Sequence, residues 1–168
     1  MKSVLISIQP KWCELIVSGK KTIEVRKTRP KIETPFKCYI YCTQGKFKDL
    51  GIIGNEIYQK RMKVIGEFVC DRIINIKPFG IENMEEFEKQ TCLKANEIVE
   101  YLKGFYGYGW HISNLVIYDK PKELCEFHKH IEIFDSASIT ELEELGILDA
   151  RIKRPPQSWC YVEKGGAE

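Results

Sequence analysis

Apolar and polar positions along this 168-residue chain follow two periods, and the points where one gives way to the other mark the elements. Lys2 to Ile8 is a short run read as a first strand. Pro10 to Ser18 places proline where a first helical turn accepts it, and Trp12, Leu15 and Ile16 share one helix face. Gly19 ends that helix, because glycine reaches the left-handed cap conformation without steric cost. From Thr22 the period becomes two, with Ile23 and Val25 on one side and Thr22, Glu24, Arg26 and Thr28 on the other. Pro30 and Pro35 bracket a loop, and Phe36 to Thr43 alternates as a strand. Gln44 to Gln59, carrying Gly45, Gly51, Gly54 and Asn55, reads as a long loop. Arg61 to Ile74 reads as one long central strand with Gly66 at a bulge or bend.

The second half alternates less regularly. Asn83 is placed to cap a short helix with Glu85 and Glu86 in its first turn, and Thr91 to cap a second that ends near Gly104. A strand is expected from Trp110 to Tyr118 and an irregular stretch from Pro121 to His130. Ser138 to Glu141 forms a capping box opening a helix that stops at Gly146, and Gln157 to Glu163 closes the chain as a strand. Strands separated by helices of uneven length favour an α+β fold over a repeating parallel unit. The expectation is a single domain over residues 1–168, a small mixed or antiparallel β-barrel decorated with helices, with a helical insertion at about 82–104.

Chemistry concentrates where the first period switch occurs, in the run Gly19-Lys-Lys-Thr-Ile-Glu-Val-Arg26. Glu24 and Arg26 stand roughly 7 Å apart along a strand that rises about 3.3 Å per residue, with Lys21 at its mouth. The plain alternative is a surface ion pair of little energetic value beside lysines that complement a helix C-terminus. Aromatics form a second candidate. Tyr106, Tyr108 and Trp110 alternate with Gly107 and Gly109, a spacing suited to exposing ring faces for base stacking, or equally to plugging the end of a barrel. His111, next to Trp110, is placed either to read a base edge or to satisfy itself in the barrel wall. Trp12, on the apolar helix face, and Trp159, alternating with Tyr161, read as packing residues.

Composition narrows the classes. With 43 % apolar and 30 % charged residues the chain can bury a core without disulfide or metal staples. Seven cysteines at scattered positions match no disulfide framework, and no apolar run approaches the roughly 20 residues of a membrane span. A cytoplasmic protein with no membrane partner is expected. Residues 1–80 hold 16 Lys and Arg against 7 Asp and Glu, whereas residues 81–168 hold 10 against 17. Basic clusters at Lys20-Lys21, Arg26 to Lys31 and Lys60 to Lys63 either converge on a phosphate-attracting surface or are neutralised by the acidic half. Cys125, His128 and His130 offer three ligands, yet a closed zinc site takes four, so no metal and no cofactor are expected. No phosphate-binding glycine loop or serine elbow occurs, which disfavours classical nucleotide hydrolysis and lipase chemistry.

The pattern Gly19-x-Lys21-x-x-Glu24-x-Arg26, preceded by Ser7-Ile8-Gln9-Pro10-Lys11-Trp12, resembles the signature of the ASCH family, whose members share the PUA-like fold. Val64 to Phe68 and Trp110 to Tyr118 resemble later strands of that family. The resemblance implies a PUA-like barrel that binds RNA, another nucleic acid or a modified nucleobase. On this reading Lys21 and Arg26 donate to a phosphate or base carbonyl, and Glu24 accepts from an exocyclic amine. Thr22, Tyr108, Trp110 and His111 complete the candidate ligand-binding set. Binding is favoured over turnover. The alternative is a hydrolase, an amidohydrolase of acetylated cytidine or a ribonuclease, with Lys21 and Glu24 as the catalytic pair. Family amidohydrolases carry threonine where this chain has Glu24, which removes the hydroxyl nucleophile and leaves a carboxylate. A third class, a protein adaptor, would use the acidic helical region from Asn83 to Lys103.

Overall fold

A computed structural model describes residues 2–45, 56–77, 80–130, 144 and 149–164. Their strands form two open sheets, and the fold is α+β. The expected closed barrel gives way to this pair of sheets within the described residues. β1 (Ser3–Ile8) is buried along its whole length, since it lies inside the six-stranded sheet. It pairs in parallel with β3 (Phe36–Cys42) and antiparallel with β9 (Trp159–Lys164). β4 (Lys63–Cys70), β7 (Ser113–Lys122) and β8 (Phe127–Lys129) complete that sheet in the order β7-β4-β3-β1-β9-β8. The second sheet is β2 (Ile23–Arg26), β6 (Gly107–His111) and β5 (Ile73–Ile76), with β6 central.

Parallel pairing of β1 with β3 requires a crossover, and α1 (Pro10–Val17) with β2 supplies it. Helix α1 buries Cys13 and Ile16 in the main core with Val4, Ile6, Ile8, Ile40, Phe68 and Trp110. A separate core lies between the three-stranded sheet and α3 (Met84–Thr91) with α4 (Ala95–Leu102), where Ile23, Val25 and Ile76 meet Phe87, Ile98 and Leu102. Gly107 and Gly109 are required there. A Cβ at Gly109 would stand 2.9 Å from Ile23 Cγ2, and one at Gly107 would press into Leu102. The glycines between the aromatics thus admit close helix packing. No helix among the described residues is long and apolar enough to cross a membrane.

Several expected elements differ. The strand expected over 61–74 is two strands in different sheets, β4 and β5, separated at Asp71 and Arg72. The strand expected over 110–118 is likewise split into β6 and β7 around Ile112, whose N–H donates to the Thr22 carbonyl at 2.8 Å. At these two breaks the chain crosses from one sheet to the other and back, and a 2.6 Å contact between His111 Nδ1 and Asp71 Oδ1 ties them together. Glu56–Gln59 forms a short helix, α2, within the expected loop. Thr91 ends α3 instead of opening α4, since its hydroxyl donates to the Phe87 carbonyl at 2.8 Å. α4 starts after Lys94, whose N–H donates to Glu97 Oε2 at 2.7 Å. The stretch 121–130 contains the end of β7, a 3-10 turn and β8. The capping box at Ser138 to Glu141 lies outside the described residues.

Candidate functional site

The turn between α1 and β2 sets the site. Gly19 adopts φ 73°, and its N–H donates to the Ile16 carbonyl at 2.9 Å, so the chain reverses tightly. The Lys21 N–H then returns to the Leu15 carbonyl and the Thr22 N–H reaches the Gln90 carbonyl of α3, both at 2.9 Å. Thus anchored, Lys21 points inward with 2 % of its surface exposed, and Glu24 and Arg26 are nearly as buried. Lys21 Nζ donates to the Thr91 carbonyl at 2.6 Å and lies 3.4 Å from Glu24 Oε2. Arg26 Nη2 lies 3.0 Å from Glu24 Oε1 and donates to the Ser7 carbonyl of β1 at 2.6 Å. Arg26 Nη1 reaches Ser158 Oγ at 3.4 Å, while the buried Nε has no hydrogen-bond partner.

These three side chains form the floor of a pocket of about 470 Å³. Trp12 of α1 and Tyr101 of α4 stand on its walls, and Ser7, Gln9, Thr43, Leu93, Pro155, Pro156 and Gln157 also contribute. Lys21 Nζ lies 5.1 Å from the Trp12 ring centroid, so the cation bridges the floor and one aromatic wall. Two cations share one carboxylate on this floor. Glu24 is the one acid among the described lining residues, and a buried excess of positive charge favours a ligand rich in acceptors or carrying an anion.

Nucleophiles are held quiet nearby. Burial first, and then a contact with Cys42, push the Cys13 thiol well above its ordinary value, so it stays protonated beneath Glu24 and Arg26. Ser7 Oγ donates to the Pro156 carbonyl at 2.6 Å. Desolvation at the pocket wall raises the Tyr101 phenol, Arg26 opposing the shift and Glu24 reinforcing it, so Tyr101 enters the site as a neutral ring with a hydroxyl.

The ASCH domain family profile matches residues 6–133, most of the chain and all of α1, β2 and the helical region. The chain belongs to the ASCH family. Crystal structures of ASCH proteins from Zymomonas mobilis share the fold of this ASCH chain. A tyrosine-to-phenylalanine variant superposes with a TM-score of 0.61 at 19 % identity, covering 98 % of this chain and 93 % of that one. A serine-to-alanine variant gives 0.60 at 18 % identity over 97 % and 89 %. The Zymomonas mobilis ASCH protein itself gives 0.60 at 19 % over 96 % and 88 %. No curated protein matches the chain.

Of the residues singled out in this ASCH chain, the pocket gathers Lys21, Glu24 and Arg26 but not the other four. Thr22 is half-buried and contributes its backbone to the sheet crossover. Trp110 pairs with Glu24 in the β2–β6 register but is fully buried, its ring 5.8 Å from Phe36 and 6.0 Å from Trp159. It packs beneath the floor and offers no face to a ligand. Tyr108, opposite Arg26, packs against the same core, and His111 is engaged by Asp71. Two aromatic pocket residues were not among the sequence candidates. Trp12 had the periodicity of a core residue, although it stands in the Ser7 to Trp12 motif; Tyr101 sits on an acidic helix and gave no signal.

Lys63 Nζ pairs with Glu123 at 2.6 Å, and the Lys60 to Lys63 cluster does not line the pocket. His130 Nδ1 lies 2.6 Å from Glu163 Oε1, and Cys125 is exposed. Among the described residues no group of three potential ligands is arranged to hold a metal.

Proposed function

We propose that this ASCH chain is a PUA-like recognition unit, one domain with α3 and α4 inserted between β5 and β6, whose pocket binds a nucleobase of RNA or of a modified nucleoside. The observation that carries the reading is the buried Lys21-Glu24-Arg26 floor beneath the Trp12 and Tyr101 walls. A base needs what lines this pocket: aromatic rings to stack on, and charge-assisted donors with an acceptor for its edge. Lys21 serves a base carbonyl, and Glu24 an exocyclic amine. The scattered free cysteines accord with a reducing, cytoplasmic setting.

Binding of a nucleoside panel that includes N4-acetylcytidine, followed by calorimetry and mass spectrometry, tests this reading. We expect saturable binding with recovery of unchanged ligand, and a loss of about 1–3 kcal/mol with Trp12→Ala, the usual worth of one stacked base. Absence of binding, or binding indifferent to Trp12, would remove it. The second reading is hydrolysis in the same pocket, supported by a cation and a carboxylate 3.4 Å apart. Product accumulating with the parent protein and not with Lys21→Met would establish that reading instead.

A further inference from the structure

Both aromatic residues that line the pocket carry an exposed lysine over the ring. Lys11 Nζ lies 4.3 Å from the Trp12 ring centroid, and Lys27 Nζ lies 5.2 Å from that of Tyr101. Both residues are exposed, neither lines the pocket, and neither forms a salt bridge among the described residues. Their positions follow from the fold: Lys11 stands in the first turn of the helix that delivers Trp12, and Lys27 directly follows β2, whose Arg26 reaches the floor. The arrangement puts one exposed ammonium beside each aromatic lining residue, close to a pocket that already carries an excess cation. A neutral nucleoside would use the walls and floor and leave both of these charges idle.

We propose that the ligand is a nucleoside carrying phosphate, one group in a free nucleotide and one on either side of the sugar in a strand, with Lys11 beside Trp12 and Lys27 beside Tyr101 as the phosphate contacts. The inference rests on the nucleobase reading of the pocket and specifies the group attached to that base. A base stacked on Trp12 or Tyr101 brings its attached phosphate near these residues, and a long flexible lysine side chain beside the ring is suited to meet a phosphate oxygen. The same chemistry is presented by a free nucleotide and by a residue of a single strand. Lys as a mobile point charge suits either, since it demands no fixed phosphate orientation.

Four ribonucleosides, their 5′-monophosphates, ribose 5-phosphate and a short single-stranded RNA, titrated against the parent chain and a Lys11→Gln, Lys27→Gln double variant, test the assignment. Each monophosphate is expected to bind at least about tenfold tighter than its nucleoside, as one charge-assisted phosphate contact implies, and the double variant to erase that gain while leaving nucleoside affinity unchanged. For the RNA, the slope of log affinity against log salt should become shallower by about 1.4 in the double variant, about 0.7 for each phosphate released. RNA binding above the monophosphate, with that change of slope, identifies a strand as the source; equal binding identifies a free nucleotide. Equal affinities for nucleoside and monophosphate would overturn the phosphate assignment while leaving the base pocket intact. Ribose 5-phosphate binding as tightly as the monophosphates would overturn it too, since the base would then be idle. Failure of every nucleoside and nucleotide to bind would remove the underlying base-pocket reading with it.

Discussion

The chain contains two glutamate networks of similar makeup that the folded protein treats in opposite ways. Glu24 lies between Lys21 and Arg26, both buried, at the floor of the pocket. Glu67 of β4 lies between Lys37 and Tyr118 at a partly exposed position of the six-stranded sheet, with Lys37 Nζ at 2.7 Å and the Tyr118 hydroxyl donating at 2.5 Å. The surface network has shorter contacts, whereas the buried one has longer contacts and an unbalanced charge. Contact length therefore ranks them in the wrong order for function. Water screens the surface set and makes it worth little, while the buried set pays desolvation that only a good partner offsets. Two cations and one carboxylate kept out of water beside open volume are what the proposed ligand's acceptors would meet.

Removing the shared carboxylate is the harshest test of that contrast. Glu24→Gln leaves two buried cations without a counter-charge, and breaking a buried pair from one side typically costs about 3–5 kcal/mol. Urea unfolding of Glu24→Gln should show this loss, while Glu67→Gln, whose lysine partner is 42 % exposed, should lose about 0–1 kcal/mol. Equal losses would mean that burial does not distinguish the two networks. Lys21→Met should fall between them. It converts the floor to one cation and one carboxylate, so the charge balance improves even as the Thr91 carbonyl loses its donor, and the expected cost is about 1–3 kcal/mol for the buried acceptor left unpaired. A loss as large as that of Glu24→Gln would show that the excess cation is needed by the fold and is not reserved for a ligand.

How far this contrast could be read from the chain depends on which forces act locally. The helix stop at Gly19, the period-two run through Glu24 and Arg26, and β1 and β3 depend on local sterics and amphipathic pattern, and these were legible. The breaks at Asp71 and at Ile112 were not, because β-forming residues continue on both sides and only the pairing of distant segments, the Asp71–His111 contact and the Thr22 carbonyl, interrupts them. At the site, Lys21, Glu24 and Arg26 were legible as a row but their burial was not, since alternation marks two faces without saying which is solvated. Trp110 and Trp12 exchanged roles for a related reason. The strand carrying Trp110 is covered on both sides, and α1 turns one edge of its apolar face toward the pocket.

The smallest expected effect lies in the acid limb of stability, and it separates the two networks by a different physical lever. Desolvation raises Glu67, but hydrogen bonds from Lys37 and Tyr118 outweigh it and hold the carboxyl below its ordinary value. The partners agree in direction: the bond to Glu67 raises Lys37, and burial followed by that same bond raises Tyr118. A carboxyl depressed in the folded state contributes stability above its unfolded value of about 4.3, and that contribution is lost as pH falls through the lower folded value. Tyr118→Phe removes one of the two bonds that depress it while leaving the ring in place, so the folded value moves back toward the unfolded one. The urea midpoint of Tyr118→Phe should therefore decline less steeply than the parent's between about pH 5 and pH 3, from a slightly lower plateau at neutral pH. Parallel curves would show that Tyr118 does not hold the carboxylate, and would leave the surface network as a lysine–glutamate pair alone.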